Sequence, residues 1–379
     1  MDKIGLYIHW PYCARICPYC DFNIYKNKPA REDELVDAIL TDMTYWRAQS
    51  RPRHLASAHF GGGTPSLLSS DNMGRIIQHA CALWEPQADL EIGLEANPND
   101  ITKARLEVWR AAGIERLSIG VQSFDDDVLK FLGRDHSGAQ AQSALRAAAQ
   151  IMPRVSADLI YGWAGQSLTH WRHELSTALN AQITHISAYQ LTIEDSTAFA
   201  RAEARGQARA VDGDTSADLY ELGLELLGGA GFDQYEISNF AKTDTARSQH
   251  NLLYWQGEDY IGVGPGAHGR LTRDDKRLAT IAALKPDDYI MAVNSTGNGV
   301  NEAEPLTPES RAQEYLLMGL RISKGINLRR YEQMCGKALP QEVISHYAAL
   351  GLLTHTKDRL AATPAGRLVL DKLSHELLS

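Results

Sequence analysis

Six short apolar runs recur along the first half of the chain, and a segment with apolar residues at helical spacing separates each run from the next. The runs are 5–9, 57–60, 90–95, 116–120, 155–160 and 185–191. Each ends near Gly, Pro, Asn or Ser, as strands do. Strands that alternate with helices form a parallel sheet. The alternation therefore predicts an α/β fold, which is either a doubly wound sheet or most of a barrel.

Polar residues and glycines gather where these runs end, and this favours the barrel. Residues 61–65 read Gly-Gly-Gly-Thr-Pro, 95–98 read Glu-Ala-Asn-Pro, and 122–124 read Gln-Ser-Phe. In parallel α/β barrels the active site is built from the carboxyl ends of the strands. Contributions from at least five runs suit a site on a barrel axis better than a crevice between two strands.

Three cysteines lie within eight residues near the start of the chain. Cys13, Cys17 and Cys20 have the spacing C-x3-C-x2-C, whereas Cys81 and Cys335 are isolated. Such a cluster in a chain with few thiols is most simply a metal site. Three thiolates can hold three irons of a cubane iron–sulfur cluster, which leaves the fourth iron open for a small molecule.

Two alternatives for the cysteines stay open at this point. A structural zinc ion normally has four protein ligands, and the nearest further donor, His9, falls on the presumed first strand. A disulfide with a spare thiol needs an oxidising compartment. Because 1–3 lead straight into a strand without a long apolar stretch, we expect no secretory signal, a cytoplasmic location and reduced thiols.

Composition limits the class of partner. Of the 379 residues, 47 are acidic and 38 are basic, which gives a formal net charge of −9. A broad nucleic-acid surface is usually basic, so we expect no nucleic-acid partner. The sequence has no run of eighteen apolar residues, so we also expect no membrane span and leave open only a transient membrane association.

The rhythm of the chain changes after about residue 200, and we predict three parts. A barrel core would cover 1–235, and an extension with a linker would cover 236–304, with 270–304 irregular and polar and 294–301 an exposed loop. A C-terminal unit of helices and a small hairpin would cover 305–379. Its outline is that of a winged helix, but no helix in it carries a basic stripe.

Several motifs each allow a functional and a structural explanation. The glycines of 61–65 let the backbone approach a ligand, or simply form a tight turn. Glu95, Arg134 and Asp158 need partners if they point into a barrel, and these are ligand groups, an internal salt bridge such as Arg134–Asp158, or both. The segment 250–255, His-Asn-Leu-Leu-Tyr-Trp, offers an imidazole for haem iron and aromatic rings for stacking, or packs its rings against the barrel mouth.

Taken together, the motifs resemble the radical S-adenosylmethionine (SAM) superfamily. The cysteine loop and 61–65, 95–98, 120–124, 133–136 and 158–162 carry this resemblance. Within the superfamily the chain looks most like the oxygen-independent coproporphyrinogen III oxidase-like branch, and 235–241 and 250–255 resemble its haem chaperones. The resemblance implies a partial (β/α)6 TIM-like radical SAM barrel with a small C-terminal winged-helix-like α+β domain.

The resemblance also implies roles for individual residues. Cys13, Cys17 and Cys20 would hold a [4Fe–4S] cluster whose open iron takes the amino and carboxylate groups of SAM. His250 matches the histidine proposed as a haem contact. The positions that match SAM contacts in relatives are Tyr7, Tyr19, Gly62, Gly63, Thr64, Glu95, Gln122, Arg134 and Asp158.

The implied function is that of a haem chaperone, which binds haem, the cluster and SAM and passes haem to acceptor proteins of respiratory enzymes. The alternatives are oxygen-independent coproporphyrinogen III dehydrogenation and a methyl-transferring, haem-degrading radical enzyme. Two departures speak against the oxidase: Phe22 stands where that enzyme has a fourth cysteine, and the first strand follows Met1 within a few residues where the oxidase has an N-terminal extension.

Overall fold

The computed structural model describes residues 2–274 and 276–379. The strands are β1 (Lys3–Trp10), β2 (Tyr12–Cys13), β3 (Tyr25–Lys26), β4 (His54–Gly62), β5 (Glu85–Ala96), β6 (Arg116–Gln122), β7 (Arg154–Tyr161), β8 (His185–Gln190), β9 (Asp233–Glu236), β10 (Asn239–Ala241), β11 (Tyr260–Val263), β12 (His268–Arg273), β13 (Lys276–Ala282), β14 (Val300–Pro305), β15 (Ile326–Asn327), β16 (Leu353–His355) and β17 (Arg359–Ala362). The helices are α1 (Glu32–Gln49), α2 (Ser70–Leu83), α3 (Lys103–Ala111), α4 (Asp126–Phe131), α5 (Gly138–Ile151), α6 (Leu168–Leu179), α7 (Ala198–Glu203), α8 (Gly213–Gly229), α9 (Gln249–Trp255), α10 (Pro286–Thr296), α11 (Pro308–Gly319), α12 (Leu328–Cys335), α13 (Gln341–Ala349), α14 (Pro364–Arg367) and α15 (Leu370–Leu378).

One sheet of twelve strands organises the molecule, in the order β14-β13-β12-β11-β1-β4-β5-β6-β7-β8-β10-β9. From β11 to β8 every neighbouring pair is parallel. The outer strands at both ends pair antiparallel. Each of the six predicted runs overlaps one of the parallel strands, and the outermost strands β14 and β9 do not pair with each other, so the partial barrel is confirmed.

Local sequence explains why the helices begin where they do. Ser69 and Thr102 cap α2 and α3 by accepting a hydrogen bond from a backbone N–H in the first turn. Ser137 and Gln140 form a capping box at the start of α5. The apolar faces of these helices pack on the sheet in one large core. The helices therefore hold the strands so that their carboxyl ends meet at one edge.

The prediction of an irregular stretch over 270–304 is wrong. Strands β12 and β13 form a hairpin there, α10 follows, and β14 adds a further strand to the sheet. The strands are short, and β14 has exposed side chains at most positions, so the sequence lacks the apolar signal of a buried strand. The predicted loop over 294–301 includes the end of α10, the αL residue Gly297 and the first residues of β14.

The C-terminal unit has a core of its own, to which Leu316, Leu320, Leu353, Leu360 and Leu373 belong. Its three-stranded sheet, β15-β17-β16, is separate from the large one. The helices α11 to α15 surround this hairpin-based sheet, as the winged-helix outline predicts. The residue limits of the three parts stay a prediction. Within the described residues, we find no helix that is both long enough and apolar enough to cross a membrane.

The unit is fastened to the barrel by ion pairs. The guanidinium of Arg270 on β12 donates to both carboxylate oxygens of Glu314 on α11, at 2.8 to 3.2 Å. Arg321, just after α11, donates twice to Glu236 of β9, at 2.6 and 3.0 Å. Glu236 is fully buried, so this second contact lies at the inner part of the junction.

Candidate metal and cofactor site

A cavity of about 410 Å³ opens at the carboxyl ends of the parallel strands. The loop after β1 forms one wall with its three cysteines, and the ends of β4, β5, β6, β7 and β8 form the others. The lining includes Cys13, Cys17, Tyr19, Cys20, Phe22, Gly62, Gly63, Thr64, Glu95, Asn97, Ser118, Gln122, Arg134, Asp158 and Tyr189. The three cysteines and eight of the nine predicted SAM positions therefore lie around one space.

The cysteine wall is held by short-range contacts. Cys13 is buried, and its sulfur accepts a hydrogen bond from the Thr64 hydroxyl at 3.4 Å. The backbone N–H of Cys20 donates to the carbonyl of Cys17 at 3.2 Å, which closes a turn between them. Burial raises the pKa of Cys13, and it raises the pKa of Cys20 to about 11. Binding of a metal by these thiols would therefore release protons.

Glycines at the end of β4 allow the sheet to approach the cysteine loop closely. Gly62 has φ +104°, a value that L side chains rarely adopt. A Cβ on Gly63 would lie 2.7 Å from the Tyr12 carbonyl oxygen and 3.0 Å from the Cys13 sulfur. A side chain at Gly63 would thus press on the cysteine loop, and a Cβ on Gly62 would lie 2.6 Å from the His9 ring.

The donor set fits an iron–sulfur cluster. Three soft thiol donors in one loop are suited to a cubane cluster, and the other charged lining residues are oxygen or guanidinium groups. Such a cluster, held by three protein ligands, would keep one iron open to a small molecule. In the described part of the chain, no three side chains of His, Cys, Asp or Glu are grouped as ligands of one metal ion.

Arg134 brings a positive charge next to the cysteine loop. One guanidinium nitrogen lies 3.6 Å from the sulfur of Cys17, and the other donates to the side-chain oxygen of Asn97 at 2.5 Å and to the Gly120 carbonyl at 3.0 Å. The alternative Arg134–Asp158 salt bridge does not form. The arginine is therefore held by neutral acceptors. No carboxylate among the described residues neutralises its charge, which can attract anionic groups beside the cysteine loop.

Asp158 on β7 lies among hydroxyl groups. It accepts hydrogen bonds from Ser118 at 2.8 and 2.9 Å and from Ser156 at 3.1 Å. Burial raises the pKa of Asp158 to about 6, and the hydroxyl donors oppose that shift. Glu95 is more open, and one of its oxygens lies 3.1 Å from Nε2 of His59. The wall thus offers carboxylates that can accept hydrogen bonds from hydroxyl or ammonium groups.

A buried carboxylate holds the residues that follow Gln122, the last residue of β6. Gln122 has φ +63°, which is uncommon for a residue other than glycine. Glu174 on α6 accepts a hydrogen bond from the Ser123 hydroxyl at 2.6 Å and from the Phe124 N–H at 2.8 Å. These contacts stabilise a backbone conformation that aims Gln122 at the cavity.

Tyr7 and His250 do not line this cavity. The Tyr7 hydroxyl lies 3.2 Å from Nδ1 of His9, and its ring stacks with those of His59 and His250. His250 is 2% exposed, its Nδ1 lies 3.1 Å from the Ser57 hydroxyl, and its ring centroid is 4.5 Å from that of His59. In this structure the His250 ring is enclosed by neighbouring side chains, as the packing alternative describes. Its role as a haem contact stays a prediction.

Sequence reasoning missed several polar residues of the site. Ser118 and Tyr189 line the cavity, and the Ser156 hydroxyl donates a hydrogen bond to Asp158. The signal was present in the alternation of the strands, because Ser118, Gly120 and Gln122 occupy every second position of β6. Such a row marks the face of the strand that points into a barrel.

Comparisons with known proteins agree with this geometry. A family model of the radical SAM superfamily matches residues 7–177, and a model of the HemN C-terminal domain matches 306–369. The chain is 35% identical to the heme chaperone HemW of Escherichia coli, over 98% of this chain and 97% of that protein. It is 33% identical to HemW of Bacillus subtilis, over 96% of both chains. The chain belongs to the HemW family of radical SAM proteins.

Relatives of this family extend to eukaryotes. The mitochondrial radical S-adenosyl methionine domain-containing protein 1 of Bos taurus is 37% identical over 100% of this chain and 88% of the bovine protein. Among solved structures, coproporphyrinogen III oxidase (HemN) of Escherichia coli has a TM-score of 0.82 and 21% identity, covering 100% of this chain and 90% of the oxidase. At that identity the likeness establishes a shared fold of barrel and C-terminal unit.

Proposed function

We propose that this member of the HemW family is a haem chaperone, which binds haem and passes it to haem-acceptor proteins of respiratory enzymes. The similarity to curated heme chaperones from one end of the chain to the other carries this proposal. The cavity with three cysteines supports it, because its lining contains the thiol donors that the family's cluster needs.

Cys13, Cys17 and Cys20 would hold a [4Fe–4S] cluster, and the neighbouring residues would hold SAM. When bound, the cluster supplies an open iron for the amino and carboxylate groups of SAM. Gly63 lies against the cysteine loop with no side chain in the way, and Gly62 beside it lines the same cavity. Glu95 and Asp158 offer carboxylate oxygens that suit an ammonium group or ribose hydroxyls. Tyr19, Thr64, Gln122 and Arg134 line the same space.

The chaperone proposal is distinct from coproporphyrinogen decarboxylation. At position 22, where the oxidase has a fourth cysteine, this chain has a phenylalanine that is 59% exposed and lines the cavity. An apolar side chain there cannot serve as a sulfur donor. We therefore expect haem to be cargo, and the cluster and SAM to serve its loading or release.

The cluster is tested by a matched pair of cysteine variants after purification without oxygen. Cys17→Ala should lose the iron and sulfide content and the brown absorbance, because a cluster with only three protein ligands is not held by the remaining two thiolates. The variant should keep its helical circular dichroism. Cys335→Ala removes a thiol from the far C-terminal unit and should keep a full complement of iron. Normal iron content in Cys17→Ala would refute the assignment of the ligands.

Haem transfer is tested by titration and by exchange. The full chain should bind haem with a saturable change in absorbance and should deliver it to an apo haem protein faster than free haem arrives. In a parallel assay with reduced cluster, SAM and coproporphyrinogen III, we expect no protoporphyrinogen. Formation of that product would replace the chaperone by the dehydrogenase, and opening of the haem ring would point to the haem-degrading alternative.

A further inference from the structure

A second cavity, of about 540 Å³, lies where the C-terminal unit meets the barrel, and we call it the seam cavity. The barrel contributes Trp255, the last residue of α9, and Gln256 after it. The C-terminal unit contributes Tyr315, the turn around Lys324 and the start of α12. No residue of the cluster site takes part, so the two cavities are separate.

The seam cavity is rich in positive charge on a protein that is acidic as a whole. Its described lining includes Lys324, Arg329, Arg330 and Arg359 and a single carboxylate, Glu258. The chain as a whole carries a formal net charge of −9. A cluster of cationic side chains on a protein of negative net charge raises the local concentration of anions.

Two of these cations are already paired. Arg330 lies 3.1 Å from the carboxylate of Glu258 and also donates to the carbonyls of Gln256 and Gly257. Arg329 lies 2.7 Å from the carboxylate of Asp358. These two arginines therefore fasten α12 to its surroundings.

The other two cations have no carboxylate partner among the described residues. Lys324 makes no side-chain hydrogen bond or ion pair with that part of the chain, and Arg359 donates only to the Lys324 carbonyl, at 3.2 Å. Both side chains belong to exposed residues that line the cavity. They are free to bind an anion from solution.

The start of α12 adds an independent observation. Asn327 caps the helix by accepting a hydrogen bond from the Arg330 N–H at 2.8 Å, and it lines the cavity. The first turn holds Arg329 and Arg330 and no acidic residue. Cations are unfavourable at the positive end of a helix dipole, where an anion is normally stabilising. Glu258 and Asp358 pair with the two arginines but belong to other segments, so a bound anion would add negative charge at the positive end of the helix dipole.

We propose that the seam cavity binds a small molecule with two or more anionic oxygens, held by Lys324, Arg359 and the N-terminus of α12. Carboxylates and phosphates share this chemistry. Haem would offer its two propionates, and a nucleotide would offer its phosphates. The assignment of haem as the ligand rests on the proposed function, whereas the anion site itself does not.

The test uses the full chain and inorganic pyrophosphate as the first probe, by isothermal titration at low salt. We expect saturable binding that weakens at least about tenfold in Lys324→Glu/Arg359→Glu, because two charge-assisted contacts are reversed. The control Lys337→Glu/Lys372→Glu changes the net charge equally with two exposed lysines outside the cavity, and it should bind as the unaltered chain does. Both double variants should keep the thermal midpoint.

Competition then identifies the source of the anion. Displacement of pyrophosphate by haem but not by haem dimethyl ester assigns the site to propionates. Failure of haem to compete, with displacement by ATP, assigns it to phosphates. The proposal is overturned if Lys324→Glu/Arg359→Glu binds pyrophosphate as tightly as the unaltered chain, or if the control variant loses as much affinity. The absence of pyrophosphate binding to the unaltered chain also overturns it. A chain that binds no haem at all would refute the chaperone function and leave the pyrophosphate result standing.

Discussion

Glu236 is the carboxylate whose removal should reveal how the barrel holds its C-terminal unit. It is fully buried at the end of β9 and accepts hydrogen bonds from the Ser238 N–H at 3.0 Å and the Asn239 amide at 2.6 Å. Its other oxygen accepts both bonds from Arg321, at 2.6 and 3.0 Å. The Arg321 guanidinium also lies 4.7 Å from the ring centroid of Trp255, so one ion pair connects the segments 235–241 and 250–255 with the C-terminal unit.

The cost of Glu236→Ala follows from these partners. Leaving the buried Asn239 amide unpaired costs roughly 1–3 kcal/mol, and the half-buried Ser238 N–H, which water can reach, costs less. The Arg321 side chain is 33% exposed and can turn to water, so its part is only about 0–1 kcal/mol. We therefore expect Glu236→Ala to lower the free energy of unfolding by about 2 kcal/mol or more, and Glu236→Gln by less, because its amide oxygen still accepts a hydrogen bond.

Urea denaturation followed by circular dichroism measures this loss, and limited proteolysis reports whether the C-terminal unit is released first. Glu221→Ala is the matched control, because Glu221 is exposed on α8 and its truncation should change stability by no more than about 0.5 kcal/mol. A loss below about 1 kcal/mol in Glu236→Ala, or proteolysis no faster than in the control, would refute the account of the junction.

Three further predictions concern the cluster cavity and the core. Gly63→Ala should lower the iron content of the reconstituted protein, since its Cβ would meet a carbonyl oxygen of the cysteine loop at 2.7 Å, whereas Gly74→Ala, with no atom in the way, should keep it. His250→Ala should lower the free energy of unfolding by about 2 kcal/mol or more with iron–sulfur absorbance intact, because a buried ring is removed; a tenfold weaker haem affinity at unchanged stability would instead make it a haem contact. Burial raises the pKa of Asp42 to about 7, so the folded state binds the extra proton and stability should fall as pH rises from about 4 to 7, by about 1.4 kcal/mol per unit. Asp42→Asn should flatten that slope in urea titrations at several pH values, and an unchanged slope would contradict the assignment.

Much of the barrel and the cluster site could be predicted from the sequence, because both depend on short-range patterns. Strand–helix alternation sets the parallel strands, and the spacing of Cys13, Cys17 and Cys20 within one loop defines the donor set whatever surrounds it. Residues such as Gln122 and Asp158 reach the cavity because the carboxyl ends of parallel strands share one edge of a sheet. These conclusions need only the chain direction and the periodicity of a strand.

Other features were decided by contacts between distant parts of the chain. Strand β11 pairs beside β1 with Gly5 opposite Tyr260, and this brings the preceding segment with His250 against the barrel, where its imidazole is buried. The hairpin β12–β13 extends the same sheet over a stretch whose polarity predicts a loop. The seam cavity exists only because the C-terminal unit docks beside α9. Burial and pairing of this kind depend on which surfaces meet after folding, and a linear pattern does not contain that information.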